Sequence, residues 1–304
     1  MMKLVCGRNK IILVDYNQIL ISAVSAGHSS FGSELNPDMI RHLFFNMLLS
    51  YKKKFSPKYG DITICGDAPN LWRKKVFPYY KAKRAEGRAE SPMDWTMIFE
   101  TLHSLRSELE EFFPYKVVTV DGAEGDDVIA VLVRYLQENE LVREGLEEVP
   151  QDILVISADK DFAQLQEYKN VSQYTPMFKV MIKEPNPRLN RFMKIIKGDS
   201  GDGVPNIFSD DDTFVSGKRQ KAATEKRYLP VLEACINGTE IPREHAVNFD
   251  RNKLMIDLVD HALPVDIKEE IISVFQNAKT SRGNLMNYFM KFRMRNLAGE
   301  ISKF

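Results

Sequence analysis

Four short apolar runs mark the first half of the chain: "IILV" (11–14), "ITIC" (62–65), "KVVTV" (116–120) and "ILVI" (153–156). They are too apolar to leave a wet face, so each predicts a strand covered on both sides, as in a parallel sheet. Between them apolar residues recur at helical spacing over 38–54 and 93–113. The pattern returns after "GAEGDD", where Val128, Leu132 and Leu136 share one side. The helix over 93–113 opens on "SPMDW", which predicts Ser91 as N-cap, Pro92 at the first helical position and Asp94 in the first turn. Strands alternating with helices predict an α/β fold with a central, mainly parallel sheet flanked by helices.

The character changes near 186. From "PNPRLNRFMKIIKGDSGDGVPN" onward the pattern is helices and loops without strand signals, with helical segments over 229–238, 251–260 and 267–278. Within it, "SDDDTFVSGKRQKAATEKR" reads as a polar, mobile stretch. The aromatic and basic residues of "LMNYFMKFRMRN" suit a docking segment. We therefore divide the chain into an α/β core over 1–185 and a helical C-terminal region over 186–304.

Composition excludes several classes. No apolar run reaches the roughly 18 residues of a membrane span, and "MMKLVCGRNKIILVDYNQ" lacks a signal-peptide pattern. Cys6, Cys65 and Cys235, odd in number and far apart, argue against a disulfide framework and a zinc site. A cytoplasmic protein is expected. Net charge is zero, but the charges are segregated. Residues 72–88, "WRKKVFPYYKAKRAEGR", carry Arg73, Lys74, Lys75, Lys81, Lys83, Arg84 and Arg88 against Glu86 alone. A second basic stretch, "SGKRQKAATEKRY", covers 216–228. Such segregation permits a phosphate-binding face on a neutral protein.

Every predicted strand ends in acid: Asp15 after the first, Asp67 after the second, Glu124, Asp126 and Asp127 after the third, Asp159 and Asp161 after the fourth. An Asp after a strand commonly serves a turn or caps the next helix. In an open parallel sheet, however, the carboxyl ends of the strands share one crevice, and so many carboxylates gathered there repel strongly. Bound divalent cations are the usual resolution, and an all-oxygen set without His or Cys points to magnesium or manganese. "GDSGDG" adds Asp199 and Asp202, three apart in a Gly-rich loop. This many acids suits two ions about 4 Å apart, the arrangement that hydrolyses phosphodiesters in line.

The series "LVD", "CGD", "AEGDD", "SADKDF" and "KGDSGDGVPN", in order over nearly the whole chain, resembles the 5′-nuclease family of flap endonucleases and 5′–3′ exonucleases. "WRKKVFPYYKAKR" and "RGNLMNYFMKF" look closest to the ribonuclease H branch of T-even-type phages. The resemblance implies a first-metal cluster of Asp15, Asp67, Glu124 and Asp126, with Asp159 bridging toward a second built from Asp161, Asp199 and Asp202. Asp127 is left to cap or orient its helix. It implies that about 69–92 forms an arch whose Lys81 and Arg84 contact the scissile phosphate, so that Lys81, Arg84, Asp126 and Asp159 carry catalysis. Arg73 and Lys83 are expected to grip flanking phosphates, and Tyr79 or Tyr80 to stack on an unpaired base. Residues 197–206 resemble a helix–turn–helix loop that holds duplex backbone. After the proline the chain departs from the family's Gly-apolar-Gly pattern and reads "NIFSDDDTFVSGKR"; Lys218, Arg219 and Lys221 are the phosphate-contact candidates there.

Together these readings imply a magnesium-dependent, structure-specific 5′ nuclease with flap-endonuclease and ribonuclease H activity, manganese able to substitute. Forked or flapped DNA and RNA–DNA hybrids are its implied substrates, in removing lagging-strand primers. A single-strand-binding protein and a sliding clamp are its implied partners, and a monomer is expected. Three alternatives share part of the pattern. A topoisomerase–primase-type domain leaves Asp15, Asp67 and the arch unexplained. A PIN-type ribonuclease would be shorter. An inactive fork-binding scaffold would have no need of the complete acid set.

Overall fold

The computed structural model describes residues 10–32, 35–139, 141–144, 147–280 and 284–304. In chain order its elements are β1 (Ile11–Asp15), α1 (Tyr16–Phe31), α2 (Pro37–Tyr59), β2 (Asp61–Cys65), α3 (Trp72–Val76), α4 (Arg84–Ala89), α5 (Trp95–Phe112), β3 (Lys116–Val118) and α6 (Gly125–Asn139). They continue as β4 (Leu141–Glu144), β5 (Glu147–Pro150), β6 (Ile153–Ile156), a 3-10 segment Lys160–Glu167, β7 (Val171–Thr175), β8 (Val180–Ile182) and α7 (Pro187–Lys197). The last are α8 (Glu225–Asn237), α9 (Arg243–Ile256), α10 (Val265–Asn277), α11 (Leu285–Lys291) and α12 (Arg295–Ala298), before a 3-10 turn Ile301–Lys303.

Six strands form one sheet in the order β3-β2-β1-β6-β7-β8, parallel except for the edge strand β8. β4 and β5 make a separate antiparallel pair. The apolar runs have no wet face because alternate residues feed two different cores. Ile12, Val14, Ile62, Ile64, Leu154 and Ile156 pack with α1, α2, α5 and the C-terminal Tyr288, Phe289 and Phe304. Ile11, Leu13, Cys65, Ile153 and Val155 pack with α6 and with Ile271 and Phe275 of α10. A smaller cluster joins α7, α8 and Phe249 of α9 around Ile207 and Phe208. The helical second half thus covers both faces of the sheet.

The sheet order reverses at β1, which sits between β2 and β6. Such a switch point opens a crevice at the carboxyl ends of the strands.

Several details differ from the sequence reading. α5 starts at Trp95, with Asp94 as its N-cap accepting from the Met97 amide at 3.0 Å, while the Ser91 hydroxyl serves the preceding turn. The pattern did not reveal α1, which follows β1 without a turn, nor β7 and β8. β7 is too polar to stand out: its Gln173 is fully buried because it donates to the carbonyls of Ser157 and Asp159. The polar stretch after 208 is pinned, not loose. Asn206 donates to the Lys221 carbonyl at 2.8 Å, and the Lys221 amide to Ser209 Oγ at 2.9 Å. No helix follows α7 until Glu225, so the expected helix–turn–helix is one helix and a long structured loop. Cys65 and Cys235 are buried free thiols, and Cys6 lies outside the described residues.

Candidate functional site

The ends of the strands build the site. Asp15 ends β1 and caps α1, taking the Gln18 amide at 3.1 Å on one oxygen and the Ser157 hydroxyl at 2.8 Å on the other. Asp67 follows β2 and accepts from the Gly125 amide at 2.7 Å, which ties the second strand to the start of α6. Asp159 caps the 3-10 segment by accepting from the Asp161 amide at 2.8 Å. The capping role and the clustering of acids therefore hold together: one oxygen of each acid fixes the backbone, and the second oxygen of Asp15 is held by Ser157.

The loop after α7 supplies the last two acids. Gly198, at φ +71°, leaves no room for a side chain, since a Cβ there would lie 2.4 Å from the Val204 carbonyl. Asp199 and Val204 exchange backbone hydrogen bonds at 2.8 Å each, and one Asp199 carboxylate oxygen takes the amides of Gly201 and Asp202. Gly203 backs directly onto the turn before α4: a Cβ there would meet the Tyr79 carbonyl at 2.8 Å.

Asp15, Asp67, Glu124, Asp126, Asp159, Asp161, Asp199 and Asp202 all line one cavity of about 1440 Å³, as do Lys81 and Arg84. The structure therefore brings together every acid singled out by the strand-end pattern and the Gly-rich loop except Asp127, which does not line the cavity. Glu124, Asp126 and Asp127 offer oxygens within 4.8 Å of one another. Asp127, fully buried, is already engaged: one oxygen takes the Trp72 indole at 3.1 Å and the Glu124 amide at 2.9 Å, and the other lies 2.7 Å from both Arg73 and His261. It orients the cluster.

Four cations hold the acids together. Lys81 pairs with Glu124, and Arg84 with Asp202 at 2.5 Å. Lys194 of α7 pairs with Asp161, a contact that sequence reasoning missed because one lysine on an amphipathic helix looks like a solvated residue. Arg73 spans Glu124 at 2.8 Å, Asp127 at 2.7 Å and the Met255 carbonyl at 3.1 Å.

That last contact set corrects an expectation. Arg73 is 1% exposed, so it braces the acids from below and reaches no flanking phosphate. Tyr80 is 2% exposed and donates its hydroxyl to Glu124 and Asp202, so its ring is unavailable for stacking on a base. Tyr79 packs edge-on against Phe77 and does not line the cavity. Lys81 is likewise no free surface residue. Its backbone adopts φ +56°, held by a hydrogen bond from its amide N–H to the Asp202 carbonyl at 2.8 Å, and this aims the ammonium at the acids. Lys83 is exposed outside the cavity. Lys218 and Lys221 face Asp210 and Asp212, and Arg219 is exposed; none of the three lines the cavity.

A family model for the "5′-3′ exonuclease, N-terminal resolvase-like domain" matches residues 10–191, and one for the "T4 RNase H, C terminal" region matches 186–304. The chain belongs to the 5′-3′ exonuclease family. It is 32% identical to ribonuclease H of Enterobacteria phage T4, over 97% of this chain and 95% of that protein. It is also 22% identical, over 77% of its length, to DNA polymerase I of Chloroflexus aurantiacus, of which it spans a quarter. In fold it is similar to the bacteriophage T5 flap endonuclease solved with DNA and metal ions: TM-score 0.60, 16% identity, covering 88% of this chain and 99% of that one. A metal-ion co-crystal of the same T5 protein gives TM-score 0.58 at 15% identity, with the same coverage. These 5′-3′ exonuclease relatives are nucleases, so the chain is read as a hydrolase of nucleic acid.

The donor set fits a hard divalent cation, since every candidate ligand is a carboxylate. The electrostatics fit too. Burial, with Asp67 nearby, pushes Asp15 up to about 7, and burial raises Asp67. Burial outweighs Arg73 and raises Asp126 well above the usual carboxylate range, and desolvation raises Asp159. Asp202 runs the other way: burial opposes its charge, but Lys81 and Arg84 outweigh it and hold the carboxyl below its ordinary value.

A carboxyl raised on folding binds its proton more tightly when folded. The stability it contributes without metal is complete below pH 3.8 and is lost as pH rises through about 7 for Asp15. A cation replaces those protons. Magnesium is therefore expected to raise the melting temperature more at about pH 8 than at about pH 5.5, and to release protons on binding. Differential scanning fluorimetry and calorimetry in buffers of different ionisation enthalpy check this; equal gains at both pH values without proton release would contradict it.

Proposed function

We propose that this chain is a magnesium-dependent, structure-specific 5′ nuclease that removes RNA primers and adjacent DNA from 5′ ends by two-metal hydrolysis, with manganese able to substitute. What carries the reading is the convergence of eight acids from five separate segments on one cavity that also holds Lys81 and Arg84. Asp15, Asp67, Glu124 and Asp126 would hold one ion, and Asp161, Asp199 and Asp202 the other, with Asp159 bridging toward it. When bound, such ions supply an activated water and offset charge on the attacked phosphate.

The protein's own part is positioning. Lys81 and Arg84 present cations at the mouth of the acid cluster, where they meet the scissile phosphate and stabilise the charge that develops on it. Both are tied to acids in the free protein, so substrate phosphate takes the place of Glu124 and Asp202 as their partner. Contacts of this kind read backbone and carry no base information, which suits a structure-specific enzyme. The reading includes forked DNA and RNA–DNA hybrids as substrates. It also includes a single-strand-binding protein and a sliding clamp as partners of a monomeric, cytoplasmic enzyme, and a functional division near residue 186.

Lys81→Ala is expected to slow cleavage by about 10²-fold, the scale of losing one preorganised cation at the transition state. Single-turnover cleavage of a fork measures it, and a wild-type rate would remove Lys81 from the mechanism. The test of the whole reading is a 5′-labelled forked duplex, and the same fork with an RNA 5′ strand, in magnesium or EDTA. Short 5′ products formed only with magnesium are expected. Tight binding without cutting in either magnesium or manganese would identify a scaffold instead.

A further inference from the structure

Three side chains of α9 hold the chain on either side of the loop that carries Asp199 and Asp202. Asn248, Arg251 and Asn252 are spaced three and four apart, hence on one helical face, and all three donate to backbone carbonyls. Asn248 donates to those of Ile207 and Ser209 at 3.0 and 3.1 Å. Asn252, fully buried, donates to Ile195 at 2.7 Å and to Pro205 at 2.9 Å. One terminal nitrogen of Arg251 donates to Pro205 at 2.9 Å and to Asn206 at 3.3 Å. Its other terminal nitrogen pairs with Asp211, and the guanidinium lies 5.9 Å from the Phe77 ring, on the segment that leads to Lys81.

These contacts close on one another. Pro205 has no N–H, so its carbonyl is its one backbone hydrogen-bonding group, and Arg251 and Asn252 use both lone pairs. Arg251 Nε donates to Asn252 Oδ1 at 2.9 Å, which fixes the way that buried amide points. The Asn252 nitrogen is thereby aimed at Ile195 in the last turn of α7, where a helix leaves carbonyls without partners. The held carbonyl backs the acids directly. A Cβ on Gly198 would lie 2.6 Å from the Pro205 oxygen, and the next residue, Asp199, is paired through its backbone with Val204. Carbonyl oxygens turned to one point favour a cation. Here a guanidinium supplies it, with a fork that reaches two carbonyls and a carboxylate at once.

We infer that Arg251 is a positioning residue for the second ion. It lines no part of the cavity and touches none of the eight acids; it holds Pro205 and Asn206, and through them the places of Asp199 and Asp202. This rests on the two-ion reading above. Groups that hold metal ligands in place from behind commonly govern the affinity of the ion as much as its rate of use.

The test is a manganese titration of the full chain without nucleic acid, with free ion read by electron paramagnetic resonance. The unaltered protein is expected to bind two ions, and Asp199→Asn marks the second by weakening it. Arg251→Ala is expected to weaken that same ion by about 10-fold and to leave the first unchanged. In fork cleavage it is expected to raise the magnesium needed for half-maximal rate by about the same factor, while the rate at saturating magnesium stays near that of the unaltered protein. Unmoved affinity for the second ion, equal loss at both ions, or a lowered plateau with an unshifted midpoint would overturn the role of Arg251. Should Arg251→Ala misfold, Arg251→Lys decides: it keeps the charge and loses the fork, so it too is expected to weaken the second ion alone, and unmoved affinity there overturns the inference as well. An unaltered protein that binds fewer than two ions would sink the two-ion reading and this inference with it. Two ions bound, with Arg251→Ala without effect on either, would sink the role of Arg251 alone.

Discussion

Asp126→Asn is expected to lower the rate of fork cleavage by on the order of 10³-fold, with fork affinity changed by no more than about twofold. The substitution keeps the shape and removes the charge. Asn still offers an oxygen to the Asp127 amide, a bond of 2.7 Å, so the start of α6 is preserved. What disappears is a carboxylate beside Glu124 that would hold a cation. Because burial already disfavours that charge, the metal-free variant should melt no lower than the parent protein. Lys81 and Arg84, the proposed phosphate contacts, remain, and with them the affinity. Single-turnover kinetics in magnesium, paired with a binding titration in EDTA, separate the two effects. Unchanged turnover would place Asp126 outside the metal cluster.

Arg73→Ala is expected to cost about 3–5 kcal/mol of folding stability, because it strands carboxylates that are already out of water. Glu124 and Asp127 are 3% and 0% exposed, and the same guanidinium bonds the Met255 carbonyl at the end of α9. The melting temperature should fall by roughly 5–15 °C for a chain of this size. Magnesium should restore part of the loss, since a cation held by Glu124 and Asp126 would supply charge that Arg73 no longer does. A drop under about 2 °C in EDTA would mean that Lys81, Tyr80 and His261 suffice without it.

Arg73 also marks the limit of what could be read from the chain. A basic residue in a run of basic residues looks like a phosphate contact, and its neighbours Lys74 and Lys75 are indeed exposed. Nothing local distinguishes the one whose helix face turns inward, because its partners lie 51 to 182 residues away. Six of the cavity's eight acids were legible for the opposite reason: each follows a strand, and parallel strands end together, while Asp199 and Asp202 stood out through their Gly-rich loop. The strands β1, β2, β3 and β6 were legible through their apolar runs. β7 was not, since its buried glutamine is satisfied by carbonyls that only the assembled fold provides.

The place of β1 between β2 and β6 has a consequence for when activity can begin. Ribosomal synthesis delivers Asp15 early, but the Ser157 hydroxyl bonded to it comes 142 residues later, and Asp202 later still. The Met255 carbonyl that steadies Arg73 emerges near the end. Contacts of such long sequence separation close late in folding. A half-made chain at the ribosome therefore carries four of the eight cavity acids and no assembled cavity, so nothing in it is placed to act on the nucleic acid around it.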